Sequence, residues 1–156
     1  MKCVEDGFIL LNLLDLPHRM NTWDDYAEYK QYYRDQFRFV EKLNEWNKAK
    51  LLVRLHPANL EYYKLESSIW FDRFPKIKVE PANIDFKNPN QASSILVNSY
   101  DSTGMLEALS MNRPCISFWQ NNLEHLEENV KKDYQQLIAV GVIHLTAESA
   151  ANHINK

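Results

Sequence analysis

The stretch from Val97 to Trp119, VNSYDSTGMLEALSMNRPCISFW, carries the residues best suited to holding an anion. Ser102, Thr103 and Gly104 open a helical pattern directly behind an apolar strand. Backbone N–H groups at a helix start carry partial positive charge, hydroxyls there add donors, and Gly104 keeps the approach open for a phosphate. A second group lies upstream, where the apolar run Leu51, Leu52, Val53 ends in Arg54, Leu55, His56 and Pro57. A guanidinium and an imidazole therefore stand at the carboxyl end of a strand, the edge at which open α/β sheets bind ligands. No Asp-x-Asp pair falls on a strand-end loop, and the adjacent Asp24 and Asp25 suit a helix cap, so no metal and no cofactor are expected.

Other reactive residue types have blander readings. His144, near the last strand, reads as structural, and His125 and His153 as residues of exposed helix faces. His18 and Arg19 sit in the loop DLPHRMNTWDD that leaves the first strand. Tyr26, Tyr29, Tyr32, Tyr33, Phe37 and Phe39 share one helix, where core packing is the natural use. Trp119, just past a strand, suits a nucleobase wall or a packed core ring equally well. Glu124, Glu127, Glu128, Lys131 and Lys132 form a solvated helical face with i, i+4 pairs.

Positioning these groups requires a particular order of elements. Apolar runs predict strands at residues 8–14, 50–55, 77–79, 95–98, 115–119 and 142–144. Helical patterns span residues 26–46, 60–74, 102–111 and 123–140, and a last helix opens at Thr146 with Glu148 behind it. Pro75 ends the second of these by restricting the residue before it. The Pro- and Asn-rich stretch 81–90 reads as loop, with a helical turn near 85–92. Strands alternating with helices at this spacing predict a Rossmann-like, doubly wound, mainly parallel α/β sheet forming one domain over residues 1–156.

Composition narrows the function classes. A chain of 156 residues with net charge -3 has no basic stripe, which excludes nucleic acid as a partner. Cys3 and Cys115 are too few and too far apart for a disulfide framework or a metal site, and Cys115 inside PCISF reads as a buried thiol. A reducing compartment fits. The apolar FILLNLLDL stretch is too short to cross a bilayer and lacks the flanks of a leader peptide. The expectation is a cytoplasmic protein with at most peripheral association at the inner face of the membrane.

The run STGMLEALSMNRPCISFW resembles the segment of GT-B glycosyltransferases in which a hydroxyl-and-glycine turn precedes a glutamate-bearing helix. His56-Pro57 with Ser102-Thr103 resembles the HP and S/T motifs of bacterial sialyltransferases and Kdo transferases, whose donors are CMP-sugars. RDQFRFVEKL, LLVRLHP, VNSYDSTGMLEAL, ISFW and GVIHLTAESAANHI together resemble the carboxyl-terminal half of surface-polysaccharide (O-antigen) transferases. The resemblance implies a nucleotide-sugar-binding half-domain acting on a glycan acceptor, with CMP-Kdo or another CMP-sugar as donor. It implies that His56, Ser102 and Thr103 hold the donor phosphates and that Glu107 bonds the ribose hydroxyls; Arg54 is added from charge and position. A GT-B enzyme has a second, amino-terminal acceptor domain, for which this chain has no room, and no catalytic base is identified. The alternatives are a CDP-glycerol-type or UDP-sugar transferase, an epimerase of UDP-sugars, or a non-catalytic module binding a nucleotide or a protein.

Overall fold

A computed structural model describes residues 9–12, 26–55, 63–80, 95–119 and 122–156. His56 and Pro57, the loop with His18 and Arg19, Asp24, Asp25, Cys3 and the turn expected at 85–92 lie outside the described residues. The elements are β1 (Ile9–Asn12), α1 (Tyr26–Lys42), α2 (Glu45–Ala49), β2 (Leu51–Arg54), α3 (Tyr63–Arg73) and β3 (Lys78–Glu80). They continue with β4 (Ile95–Asn98), α4 (Thr103–Ser110), β5 (Cys115–Phe118), α5 (Glu128–Ala139), β6 (Ile143–His144) and α6 (Ala147–Ile154).

The six strands form one sheet in the order β3-β2-β1-β4-β5-β6, and every neighbouring pair is parallel. This is the strand order of the doubly wound dinucleotide-binding fold, so the Rossmann-like prediction holds. The chain winds one way from β1 and the other way from β4. The carboxyl ends of β1 and β4 are therefore the topological switch point, the crevice position at which sheets of this order hold ligands.

A parallel sheet must be covered on both faces, and alternate residues serve each one. Leu51, Val53 and Leu55 face α1, α3 and α6 with Val97, Ile116 and Phe118, against Phe39, Val40, Trp70 and the alanines Ala147, Ala150 and Ala151. Leu52, Leu96 and Cys115 face α4 and α5, against Met105, Ala108, Leu137 and Ile138. The aromatic residues of α1 do belong to the core: Phe39 stacks on Phe118 at 5.1 Å and Phe37 meets Trp70 edge-on at 5.1 Å. The small alanines bring α6 against α1, where Glu148 accepts a 2.6 Å bond from Arg38 Nε.

Two expected helices are shorter than their periodicity. The pattern that runs on to Trp46 is broken after Lys42, because the Asn44 side chain accepts from the Asn47 amide at 2.8 Å and starts α2 afresh. Trp46 consequently points outward and is 68% exposed. The helix expected from residue 123 begins only at Glu128. Trp119 Nε1 donates to the Asn122 carbonyl at 2.6 Å, and Asn122 takes a left-handed conformation with φ 52, so the chain turns there before it can coil.

The end of α5 is closed by the two bonds of a Schellman motif, Gly141 N to Ile138 O and Val142 N to Leu137 O. Gly141 holds φ +78, and a Cβ on it would lie 2.6 Å from His153 Cε1. Beside it His144 donates from Nε2 to the Gly141 carbonyl at 3.1 Å, while its Nδ1 pairs with the Ser149 hydroxyl at 2.8 Å. The expected structural role of His144 is thus visible, whereas His153 packs on it at 5.1 Å instead of lying on an open face. Burial, with smaller contributions from His153 and Lys156, holds His144 below the ordinary imidazole range.

Gly141→Ala is expected to lower stability by at least about 1–2 kcal/mol, the cost of a left-handed non-glycine residue, read as a shift in the urea midpoint. The depressed His144 has a consequence of fixed sign: the unfolded chain binds more protons, so the contribution is complete above the unfolded value near about 6.5 and is lost as pH falls below it. Denaturation midpoints between pH 5 and 8 should show a fall on acidification that is shallower in His144→Gln, and parallel curves would contradict this.

Candidate functional site

The register of the sheet places Glu80, Arg54, Asn12, Asn98 and Ser117 in one row across five strands. Every member is polar. Two residues earlier the corresponding positions of β2, β4 and β5 are Leu52, Leu96 and Cys115, on the face toward α4, with Lys78 at the β3 edge. On that face β2, β4 and β5 thus turn from apolar to polar toward the carboxyl edge. Asn98 is 3% exposed and Ser117 is fully buried, and the Ser117 hydroxyl has no hydrogen-bond partner. Buried polar groups are normally hydrogen-bonded, so the unpartnered Ser117 hydroxyl makes this row a candidate floor for a bound group.

α4 begins directly above that floor. Ser102 is its N-cap, with extended φ -138 and ψ 160, yet its hydroxyl makes no capping bond, unlike Asn44 before α2 and Thr146 before α6. The hydroxyl is left available together with the first amides of the helix, which have no intrahelical acceptor. Gly104 leaves the inner side of this turn close but open: a Cβ there would lie 3.2 Å from Asn98 Oδ1 and 3.4 Å from Ser102 Oγ, tight contacts that those side chains would have to relieve. Thr103 is exposed, and so is Glu107 one turn further on. On the α1 side of the same strand end, Ser99 donates to the Tyr32 hydroxyl at 3.1 Å and accepts from Gln36 Nε2 at 3.2 Å.

A third group escaped sequence reasoning. His125 pairs through Nε2 with Asp101 Oδ2 at 2.8 Å, and the Tyr134 hydroxyl donates to Asp101 Oδ1 at 3.1 Å. His125 is therefore not on an open helix face: its side chain is 23% exposed, and Trp119 meets the ring edge-on at 6.0 Å. This clasp ties the turn before α4 to the loop before α5, both at the carboxyl edge. Spacing carries no signal for it, since 24 residues separate Asp101 from His125 and only the β4–β5 pairing brings their loops together. Trp119 is 3% exposed, which settles its two readings in favour of packing.

The structure thus gathers Ser102, Thr103 and Gly104 at the end of β4 and puts Arg54 in the polar row two strands away, half-buried at the end of β2. The buried Cys115 is as expected. Asn98, Ser117, Ser99 and Gln36 join them; the sequence marked Asn98 and Ser99 as the polar residues that follow an apolar run, whereas Ser117 lies inside β5 and Gln36 inside α1. Among the described residues no group of three metal-binding side chains occurs, and no helix is long and apolar enough to cross a membrane. A family model for LIC12162 family transferases matches residues 4–156. The chain belongs to that family. No curated protein and no solved structure matches it. In this transferase family member the crevice between β1 and β4 is the place where fold and polar side chains coincide.

Burial first, and the Asp101 carboxylate second, push the Tyr134 phenol up to about 12. Its folded state holds the proton longer than the unfolded chain, so stability is complete below pH about 10 and is lost as pH rises toward the folded value. Tyr134→Phe should cost about 1 kcal/mol near neutrality for the lost hydrogen bond. The variant should also show less alkaline destabilisation than the parent chain in urea titrations at high pH.

Proposed function

We propose that this chain binds the nucleotide-sugar donor of a glycosyl transfer, with the donor phosphates held at the start of α4. The observation that carries this reading is the Ser102 hydroxyl, which caps no helix amide although it stands at the N-cap, close to the buried polar residues Asn98 and Ser117 near the ends of β4 and β5. Membership of a transferase family agrees with a group-transfer reaction. In the proposed arrangement the Ser102 and Thr103 hydroxyls and the first amides of α4 take the phosphate oxygens. Glu107, exposed one turn along the helix, takes the ribose hydroxyls. His56 and Arg54, from the end of β2, add positive charge.

The chemistry asked of these groups is electrostatic. As the bond between the anomeric carbon and the phosphate oxygen breaks, the electron pair stays on that oxygen, and preorganised donors at the helix start stabilise the growing charge. An acceptor hydroxyl completes the new bond and gives up its proton to a base. Following the resemblance to surface-polysaccharide transferases, the proposed donor is a CMP-sugar such as CMP-Kdo and the acceptor a glycan. The acceptor would be held by a second, amino-terminal domain, and no metal takes part.

Calorimetry with CMP, CDP, UDP, UMP, GDP and ADP tests the reading. CMP is expected to bind selectively and to raise the melting temperature, since a ligand of the folded state alone stabilises it. Replacing Ser102 and Thr103 together by Ala should weaken binding about 10- to 100-fold, the range for losing hydrogen bonds to a charged group. Glu107→Ala should weaken ribonucleotides more than their 2′-deoxy analogues. Binding of UDP or GDP instead would replace the donor and keep the site; unchanged affinity in the double variant would remove the site from α4.

A further inference from the structure

Asp101 stands directly before the Ser102 N-cap, so its carboxylate is the acid nearest in sequence to the start of α4. A helix start attracts negative charge, and a side-chain carboxylate beside it competes with any bound anion. α2, α3, α5 and α6 each carry such a charge in their own first turn, through Glu45, Glu66, Glu128 and Glu148. α4 has no acid in its first turn and receives no cap bond from Ser102. Nothing within that turn therefore neutralises the positive end of α4, and Asp101 is the chain's own candidate for doing so.

Two donors draw Asp101 the other way. His125 Nε2 lies 2.8 Å from Oδ2 and the Tyr134 hydroxyl donates to Oδ1 at 3.1 Å, so both carboxylate oxygens are engaged on the side of α5. A carboxylate has no proton to offer, so Nε2 is the donor of that pair. Tyr134 remains a donor as well, because burial and the Asp101 charge push its phenol up to about 12. The two rings are themselves fixed: His125 and Tyr134 both meet Trp119 edge-on, at 6.0 and 6.1 Å, and Trp119 is buried and donates to the Asn122 carbonyl. The Asp101 side chain is 14% exposed. Two hydrogen bonds to a charge in so closed a setting outweigh the pull of one helix start, so the carboxylate stays with α5.

We propose that His125 and Tyr134 are positioning residues that keep Asp101 off the start of α4, leaving the amides of this helix to the phosphate of a ligand. The inference rests on the reading that α4 holds a donor phosphate, and it gives the clasp a specific task, the exclusion of the chain's own carboxylate. A carboxylate released from the clasp acts against a phosphate twice, by accepting from the same amides and by like-charge repulsion.

The test measures binding of CMP and of inorganic phosphate to the full chain by calorimetry. His125→Ala is expected to weaken both about 3- to 30-fold, the effect of one charge moved to a helix start. Tyr134→Phe keeps the ring on Trp119 and should give a smaller loss in the same direction. The deciding comparison adds Asp101→Ala to each variant: the competitor is then gone while the clasp is still broken, and affinity is expected to return to within about threefold of the parent chain. A clasp that only braces the turn gives the opposite result, no recovery or a further loss. Should His125→Ala fail to fold, the Tyr134→Phe pair carries the comparison. Unchanged affinity in the single variants, or a loss that Asp101→Ala leaves in place, would overturn the proposal alone where the joint Ser102 and Thr103 replacement still weakens CMP. A parent chain that binds neither probe would remove the phosphate site and the proposal together.

Discussion

The constraint on which the rest depends is that all six strands run the same way, so that every strand releases its chain at one edge and receives it at the other. Parallel pairing demands a crossover between consecutive strands and apolar cover on both faces, which the two clusters around Phe39 and Met105 provide. Winding outward from β1 and β4 then makes their carboxyl ends the place where such a fold opens to a ligand. The polar row at the end of the strands lies beneath that opening. Packing and potential chemistry are two results of the same topology.

The polar row also shows how such a site is reconciled with folding. Asn98 and Ser117 are buried among apolar residues, and leaving the Ser117 hydroxyl without a hydrogen bond is unfavourable by about 1–3 kcal/mol. The fold compensates with dense packing close by, including the fully buried Met105 and Ala108 under α4 and the Phe39–Phe118 stack on the opposite face. The Asp101–His125–Tyr134 clasp holds the turn before α4 against the loop before α5, and Gly104 lets the Asn98 side chain lie against the first turn of α4. These contacts give the helix start a defined position relative to the strand ends, which a binding site for a charged group requires.

The two edges of the sheet differ in kind. At the carboxyl edge, hydroxyls, amides and helix starts converge, a setting for polar recognition. At the amino edge, helix ends and strand starts leave an apolar hollow with bases around it. The same alternation of strand and helix produces both, because each crossover helix brings its amino end to one edge and its carboxyl end to the other.

What the sequence by itself determined was local: the apolar runs became strands, Pro75 follows the end of α3, Thr146 capped α6, and Ser102 to Gly104 opened α4. Those features depend on residues within one turn or one strand of each other, and their period and capping chemistry are written in neighbouring letters. Asn44 and Asn122 show the limit even there, since a single side-chain or backbone bond interrupted a helical pattern that hydrophobic spacing continued. Only the tertiary structure decided the strand order, the alignment of Arg54, Asn98 and Ser117 in one row, and the pairing of Asp101 with His125. Such relations join residues far apart in the chain through strand register, which hydrophobic period leaves undetermined until the sheet has formed.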